Sequence, residues 1–379
     1  MFDVIVVGLG AMGSAAAYHL ARRGARVLGL DRFRPPHAWG SSHGQSRIIR
    51  QAYYEHPAYV PLIQRAYTLW AELERDSGQT LFRQTGGLMI GPPGGELVTG
   101  ALASARIHGL EHELLTAADV RERYPVFHPP DAFAALWEPR AGVLFPEACI
   151  ATHLELAATN GASLRYDEPV LGWRVDGDTV QVTTASGRYQ AAHLLLSAGA
   201  WLDRLLPDLR LPLLVERQVL YWFEPAATRA AFEPGNCPIY LWEYTPGHFF
   251  YGFPDLGTGV KVALHHQGQP ADPDALDRTV GPEEQAGIRS LLDRYLPGAN
   301  GRLLETAVCM YTNTPDHHFV IDFHPTHPQG LIASPCSGHG NKFAATVGDI
   351  AAGLLIDGKT PFDLGLFRLE RLAAWPPRD

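Results

Sequence analysis

The chain is short of cysteine, of basic charge and of long apolar runs. Its 379 residues hold four cysteines, Cys149, Cys237, Cys309 and Cys336. None forms a CxxC pair or has zinc-ligand spacing, so no metal site is expected, and scattered thiols suit a reducing compartment. Each reads first as a small buried hydrophobe. Lysine and arginine total 31 against 40 acidic residues, a net charge of −9. That argues against a nucleic-acid binder, which needs a basic face. No apolar run reaches the roughly 18 residues of a membrane span. The N-terminus carries Asp3 and lacks a basic stretch, and a nucleotide fold starting at Phe2 leaves no room for a leader. A cytoplasmic protein is expected, acting on a small molecule and as a monomer. No repeat or low-complexity segment is visible, and the length allows two or three domains.

What is present is concentrated at the start. Phe2 to Val7 is a short apolar run that reads as a buried strand. Gly8-Leu9-Gly10-Ala11-Met12-Gly13 follows, then an Ala-rich helix, then a second apolar run from Ala25 to Leu30 that ends on Asp31. This is the βαβ pattern that holds a dinucleotide. Gly8 allows the tight turn, Gly10 lets the backbone approach a pyrophosphate, and Gly13 lets helix and strand pack closely. The helix N-terminus offers free N–H groups to phosphate. Asp31 is placed to accept from a ribose hydroxyl. The unit alone does not separate FAD from NAD.

After Asp31 comes an irregular stretch to Arg50, long enough to be functional. A helix follows from about Tyr59 to Arg75, with Leu62, Ala66, Leu69, Trp70 and Leu73 on its core face and Gly78 as its stop. Leu88 to Ile90 reads as a short strand, Gly95 to His108 as a helix, and Thr116 with Asp119 as a helix cap. A strand near Phe133 to Glu138 and a helix from Pro146 to Asn160 come next. Val170 to Val175 and Thr179 to Thr184 form a hairpin through Asp176-Gly177-Asp178. A buried strand then ends in Ser197-Ala198-Gly199-Ala200-Trp201, as at the carboxyl edge of a nucleotide sheet. A meander followed by a returning sheet strand is a feature of FAD domains and tips the reading toward flavin. Leu213 to Phe223, Pro238 to Tyr244, His248 to Phe253 and Gly259 to His266 read as a second, antiparallel sheet. A helix near Pro282 to Tyr295 precedes a strand from Arg302 to Tyr311. The turn Ser337-Gly338-His339-Gly340 opens a final helix, Asn341 to Ile356.

These stretches resemble the monomeric sarcosine oxidase and N-methyltryptophan oxidase family, within the D-amino-acid-oxidase-like flavoprotein oxidases. The carriers are FDVIVVGLGAMGSAAAYHLARRG, PPHAWGSSHGQSRIIRQAY, GVLFPEACI, PGANGRLLETAVCMYT and CSGHGNKF. The likeness covers essentially the whole chain. It implies an α/β fold (α+β overall) with an FAD-binding Rossmann-like domain, residues 1–84, 141–211 and 312–379. The substrate domain, with a large antiparallel sheet, takes residues 85–140 and 212–311. It implies FAD linked through its 8α carbon to Cys309. It implies oxidation of an N-methyl or cyclic secondary amino acid by O2, giving an imine that hydrolyses, and H2O2.

The same resemblance carries roles onto particular residues. Arg50 and Lys342 match the pair that binds the substrate carboxylate, for which a guanidinium suits both oxygens. Arg50 pairing with Glu55, and Lys342 as a solvated helix residue, are the alternatives. Lys261 matches a lysine held by a water over the flavin, where a positive charge would stabilise superoxide; as a strand residue it could instead snorkel to solvent. Arg47 and His43 match residues on the opposite flavin face. His265, Tyr251 and Tyr311 match substrate-pocket positions, His265 as a polar contact rather than a general base, and the tyrosines otherwise as aromatic core. Gly338, His339 and Gly340 match the turn facing the flavin O2 end. Further cofactor contacts are implied for Ala11, Met12, Arg32, Ser41, Gly44, Val170, Ser197, Gly199, Trp201 and Met310. Cys336 and Asn341 stand where the family usually has aromatic residues, which puts the preference for sarcosine over a bulkier or cyclic substrate in question.

Overall fold

The computed structural model describes residues 1–334 and 336–376. The opening unit forms as expected: β1 (Phe2–Val7), α1 (Ala11–Arg22) and β2 (Val27–Leu30), with β1 and β2 parallel. Apart from Asp3 at the half-buried start of β1, both strands are apolar because both faces are covered. Val4 and Val6 meet the helices on one face; Ile5, Val7, Leu28 and Leu30 meet the meander on the other. The strand Gly187–Leu196 pairs parallel to β1 and carries the hairpin of Val170–Asp176 and Thr179–Thr184. Ser163–Arg165 extends the sheet beyond β2, and Gly330–Ala333 pairs parallel with Leu194 to Leu196. The last segments of the chain thus return to the first sheet. α1 packs against the helices Pro146–Thr159 and Ala344–Ala352. A Cβ on Gly348 would lie 2.6 Å from the Ala15 backbone, so the small residues of α1 set how closely these helices approach.

The second sheet has eight strands. In spatial order they are Leu303–Asn313, Leu214–Phe223, Val260–His265, His248–Phe253, Ile239–Thr245, Gly87–Gly91, Ala134–Glu138 and Glu113–Thr116. Its two faces follow from the two-residue period of a strand. Tyr221, Phe223, Trp242, Phe250, Val260 and Val262 point to one face, where Ile288, Leu292 and Tyr295 of the helix Pro282–Tyr295 cover them. Leu220, Trp222, Ala263 and Cys309 point to the other and cluster with Tyr251. Lys261, Ala263 and His265 alternate with Val260, Val262 and Leu264, so Lys261 and His265 share that second face. Lys261 lies in register between Trp222 on one neighbouring strand and Phe253 on the other.

Two expectations need correction. The stretch from Arg32 to Arg50 is not wholly irregular: Arg47–Ile49 pairs with Gly142–Leu144, which also pairs with Phe82–Gln84. Three-residue strands carry too little periodicity to be read from sequence. The final helix is not continuous from Asn341 to Ile356. It begins as a 3-10 turn (Asn341–Phe343), is α-helical only over Ala344–Ala352 and closes as a π-turn (Gly353–Asp357). The tight first turn brings Lys342 inward, leaving it 7% exposed, so it is not a solvated helix residue.

Candidate active site

A long cleft runs between the two sheets. At one end it is lined by Asp31, Arg32, Val170 and Trp201, in the middle by Gly10, Ala11, Met12, Ser41 and Ser197, and at the other end by Met310, Tyr311, Gly338 and Gly340. Gly199 and Arg47 line it as well, as do the two unexpected residues Cys336 and Asn341. The middle suits a pyrophosphate. α1 starts at Gly10 with no side-chain cap and no acid in its first turn, so its N–H groups are free to meet an anion. A Cβ on Gly13 would sit 1.8 Å from the Gly8 carbonyl oxygen and 2.6 Å from Ser197 Oγ. On Gly10 it would meet nothing closer than Ser42 Oγ at 4.0 Å, pointing into the open cleft. Glycine is therefore required at position 13 by packing and suits position 10 by leaving room for a ligand. Asp31 accepts from the amides of Leu9 (2.7 Å) and Phe33 (2.8 Å), one on each oxygen, which leaves lone pairs for a ribose hydroxyl. Arg32 lies over Trp201 and Phe33, each 4.9 Å from its guanidinium, and donates to Asp274 at 2.9 Å.

At the far end three cations surround Cys309, and all three are held by backbone carbonyls of the segment from Ala38 to Ser46. Lys261 Nζ donates to Gly44 O (2.6 Å), Ser46 O (2.9 Å) and Ser46 Oγ (3.1 Å). Those contacts use all three of its N–H groups, where a water had been expected, and its ammonium lies over the Trp222 and Phe253 rings. Arg47 donates to Ser41 O (2.7 Å) and Ser46 O (2.8 Å). Arg278 donates to Ala38 O (2.9 Å), Trp39 O (3.3 Å) and Val308 O (3.0 Å). Among the described residues none of the three forms an ion pair with a carboxylate, although Glu147 and Glu305 lie near enough to favour the Lys261 ammonium. Burial, then the Arg47 charge, pulls the Lys261 ammonium well below its usual value. Burial raises the Cys309 thiol, while Arg47, Lys261 and Arg278 draw it down. His43 is buried beside them with its Nε2 unpartnered, its pKa lowered to about 3 by burial and then by Arg47, Arg278 and Lys261. His43 is a neutral ring at physiological pH.

A second cluster lies beside the turn Ser337-Gly338-His339-Gly340. Arg50 donates from Nη2 to both oxygens of Glu55 (2.9 and 2.8 Å) and from Nη1 to Ala52 O (2.8 Å). It stacks over Tyr53 and Tyr54 at 4.4 and 5.1 Å. The Glu55 partnership, considered as an alternative from the sequence, is the contact observed. Among the described residues Nε and one Nη1 N–H of Arg50 have no partner. Lys342 Nζ donates to His339 O (2.8 Å) and approaches Tyr53 OH (3.5 Å). Burial and then Arg50 lower its pKa to about 7. His339 bonds Tyr53 OH through Nδ1 (2.6 Å) and His317 O through Nε2 (2.8 Å). His265 Nδ1 contacts Tyr311 OH at 3.1 Å, and the Tyr251 ring stands edge-on to His265. Burial holds His265 and His339 well below the usual histidine range. Gly338 lies against Tyr311: a Cβ there would be 2.5 Å from the ring, at a φ of +74°. Arg278, Tyr53, Ser46, Trp222 and Phe253 escaped the sequence reading. Arg278 sits in ADPDALDRTVG, which looks like a solvated loop, and nothing local marks it.

A phosphate-ready βαβ turn that opens into a cation-ringed cleft under a sheet face defines a dinucleotide-dependent oxidoreductase. The chain matches the family model for FAD dependent oxidoreductases over residues 3–354. It is 47% identical to the monomeric sarcosine oxidase of Streptomyces avermitilis over 379 residues, 99% of each chain. It is 35% identical to the N-methyl-L-tryptophan oxidase of Yersinia pestis over 372 residues, 98% of this chain and 99% of that one. Among solved structures it is similar to NikD, an unusual amino acid oxidase essential for nikkomycin biosynthesis, with a TM-score of 0.83 and 26% identity over 97% of each chain. The chain belongs to the FAD-dependent oxidoreductase family, on its sarcosine oxidase branch, and is a flavoprotein oxidase.

Proposed function

We propose that this protein oxidises sarcosine or another N-methyl amino acid to an imine, which hydrolyses to formaldehyde and the primary amino acid. The observation that carries this is the pairing of Arg50 with Lys342 next to His265, Tyr311 and Tyr251, at the far end of a cleft fitted to a dinucleotide. Arg50, Lys342 and Glu55 together hold one net positive charge when Lys342 is protonated, which one substrate carboxylate neutralises. The carboxylate takes the open Arg50 donors and the Lys342 ammonium. The tyrosines and neutral His265 then form a water-poor wall around the N-methyl group.

Bound FAD would supply the two-electron chemistry that takes the amine to the imine and O2 to H2O2. Gly8, Gly10, Gly13 and the start of α1 would hold its pyrophosphate, Asp31 its ribose, and Gly338, His339 and Gly340 the ring end. Gly44, Arg47, His43, Met310 and Lys342 would border the ring. Cys309 is the covalent anchor to the 8α carbon, favoured by three cations over a buried thiol. Lys261, its Nζ held by Gly44 O, Ser46 O and Ser46 Oγ, supplies positive charge for the first electron transfer to oxygen when protonated. The same division of segments proposed from sequence, 1–84, 141–211 and 312–379 against 85–140 and 212–311, is supported by the two sheets. The enzyme is read as a cytoplasmic monomer, which its four unpaired cysteines suit.

A bulkier or cyclic substrate is the second reading, favoured by Cys336 and Asn341 on the cleft wall. A peroxide-coupled screen of sarcosine, pipecolate, proline and N-methyltryptophan decides between them. Turnover of sarcosine with the highest kcat/KM supports the first reading with sarcosine as substrate; strong N-methyltryptophan turnover with none of sarcosine moves the substrate to a bulkier side chain, and strong pipecolate or proline turnover with no N-methyl amino acid oxidised overturns the first reading.

A further inference from the structure

Arg278 lies in the segment between the strand Val260–His265 and the helix Pro282–Tyr295. It is half-buried and has no carboxylate partner among the described residues. Its guanidinium joins two segments: Ala38 and Trp39 of the cleft-side loop, and Val308, the residue before Cys309. Its face rests on the Trp39 ring at 5.0 Å. The arginine and the cysteine lie close enough to perturb one another. Burial lowers the guanidinium and the thiol opposes that, while the guanidinium in turn favours the thiolate. A donor locked to the Val308 carbonyl fixes the strand on which Cys309 stands, and its charge has no acid to neutralise it.

We infer that Arg278 is a positioning residue for the covalent attachment of flavin, holding Cys309 in place and favouring its thiolate. The inference rests on the proposal that FAD attaches at Cys309. In that step the S–H bond of Cys309 and one C–H bond of the flavin 8-methyl group break, and one C–S bond forms. Two electrons and two protons leave with the flavin and pass to dioxygen, which becomes hydrogen peroxide. The thiolate is the nucleophile, so its fraction sets the rate. The other groups facing Cys309 are Arg47 on Arg47–Ile49, Lys261 on Val260–His265, and the neutral hydroxyls of Tyr251 and Tyr311, both raised by burial. Arg278 therefore acts beside two further cations, and its loss slows attachment without abolishing it.

The test is the time course of FAD incorporation into full-length apoprotein, followed as flavin absorbance retained by the denatured chain, from pH 6 to about pH 10.5, because burial leaves the Cys309 thiol above its ordinary value. Arg278→Gln is expected to attach flavin on the order of tenfold more slowly near neutral pH, with the midpoint raised by about one pH unit. Arg278→Lys, which keeps the charge, restores most of the rate and the wild-type midpoint. Equal rates and midpoints in wild type and Arg278→Gln overturn the inference. So does a slower rate with an unmoved midpoint, which marks a purely structural role. If Arg278→Gln does not fold, Arg278→Lys decides: an unchanged midpoint supports the inference and a raised one overturns it. Wild-type protein that retains no flavin after denaturation at any pH overturns covalent attachment at Cys309 itself, and the inference with it.

Discussion

Lys342 gives the sharpest quantitative expectation. It is buried at 7% exposure, and burial together with the nearby Arg50 charge brings its ammonium to about 7. Burial keeps His265 and His339 neutral and the Tyr53, Tyr54 and Tyr311 hydroxyls protonated. Burial disfavours the charged Arg50, but Glu55 more than offsets it and the guanidinium is raised. A carboxylate therefore binds the protonated form of Lys342 and loses affinity once that proton leaves. Below about pH 7 its Kd is flat; above, it rises about tenfold per unit, so that by pH 9 about 2.7 kcal/mol of binding is lost. The probe is a monocarboxylate without an amine, such as propionate, so that the ligand has no ionisation of its own in this range. Its binding is read from the perturbed flavin absorbance. Lys342→Met should bind it weakly with no slope. A flat wild-type Kd from pH 6 to 9, or a slope that survives in Lys342→Met, refutes the clamp.

Lys261→Met should slow reoxidation of the reduced enzyme by O2 by a factor of 100 or more, on the scale of removing one preorganised charge, while reduction by substrate changes little; stopped-flow of both half-reactions checks this, and equal losses would contradict the assigned role. Cys309→Ala should release its flavin into the acid supernatant, whereas the wild-type pellet stays yellow. Gly338→Ala places a methyl group 2.5 Å from the Tyr311 ring in a left-handed backbone. It should cost about 1–3 kcal/mol of stability and raise the substrate KM, seen as a lower melting temperature and a changed kcat/KM; an unchanged melting curve would show that the turn relaxes freely.

The nucleotide half was legible because its physics is local. A buried strand, a glycine turn, an uncapped helix start and a terminal acid follow one another within 31 residues, and each leaves its own trace in the sequence. The second sheet was legible from its aromatic and β-branched alternation. The catalytic end is of another kind. Lys261, Arg47 and Arg278 meet around Cys309 from separate strands and a loop, with Arg47 more than 200 positions from the rest, and no spacing rule links them. Lys261 and Cys309 were reached only through resemblance. Arg278 was missed because its partners are backbone carbonyls, which carry no residue signature. Arg50 shows the converse: Glu55 was visible five residues away, and its bidentate contact is a short-range event that sequence inspection can anticipate. The π-turn at Gly353–Asp357 and the 3-10 start at Asn341 depend on how the last helix seats against α1, which helical periodicity does not encode.

The central claim is that this flavoprotein removes two electrons from an N-methyl amino acid and gives them to oxygen. Anaerobic addition of sarcosine to the purified yellow protein tests it most directly. Full bleaching of the flavin, followed on admission of air by return of the colour and one equivalent of hydrogen peroxide, is the predicted result. A flavin that keeps its colour under sarcosine and every other secondary amino acid tried, or that bleaches and stays reduced in air, contradicts it.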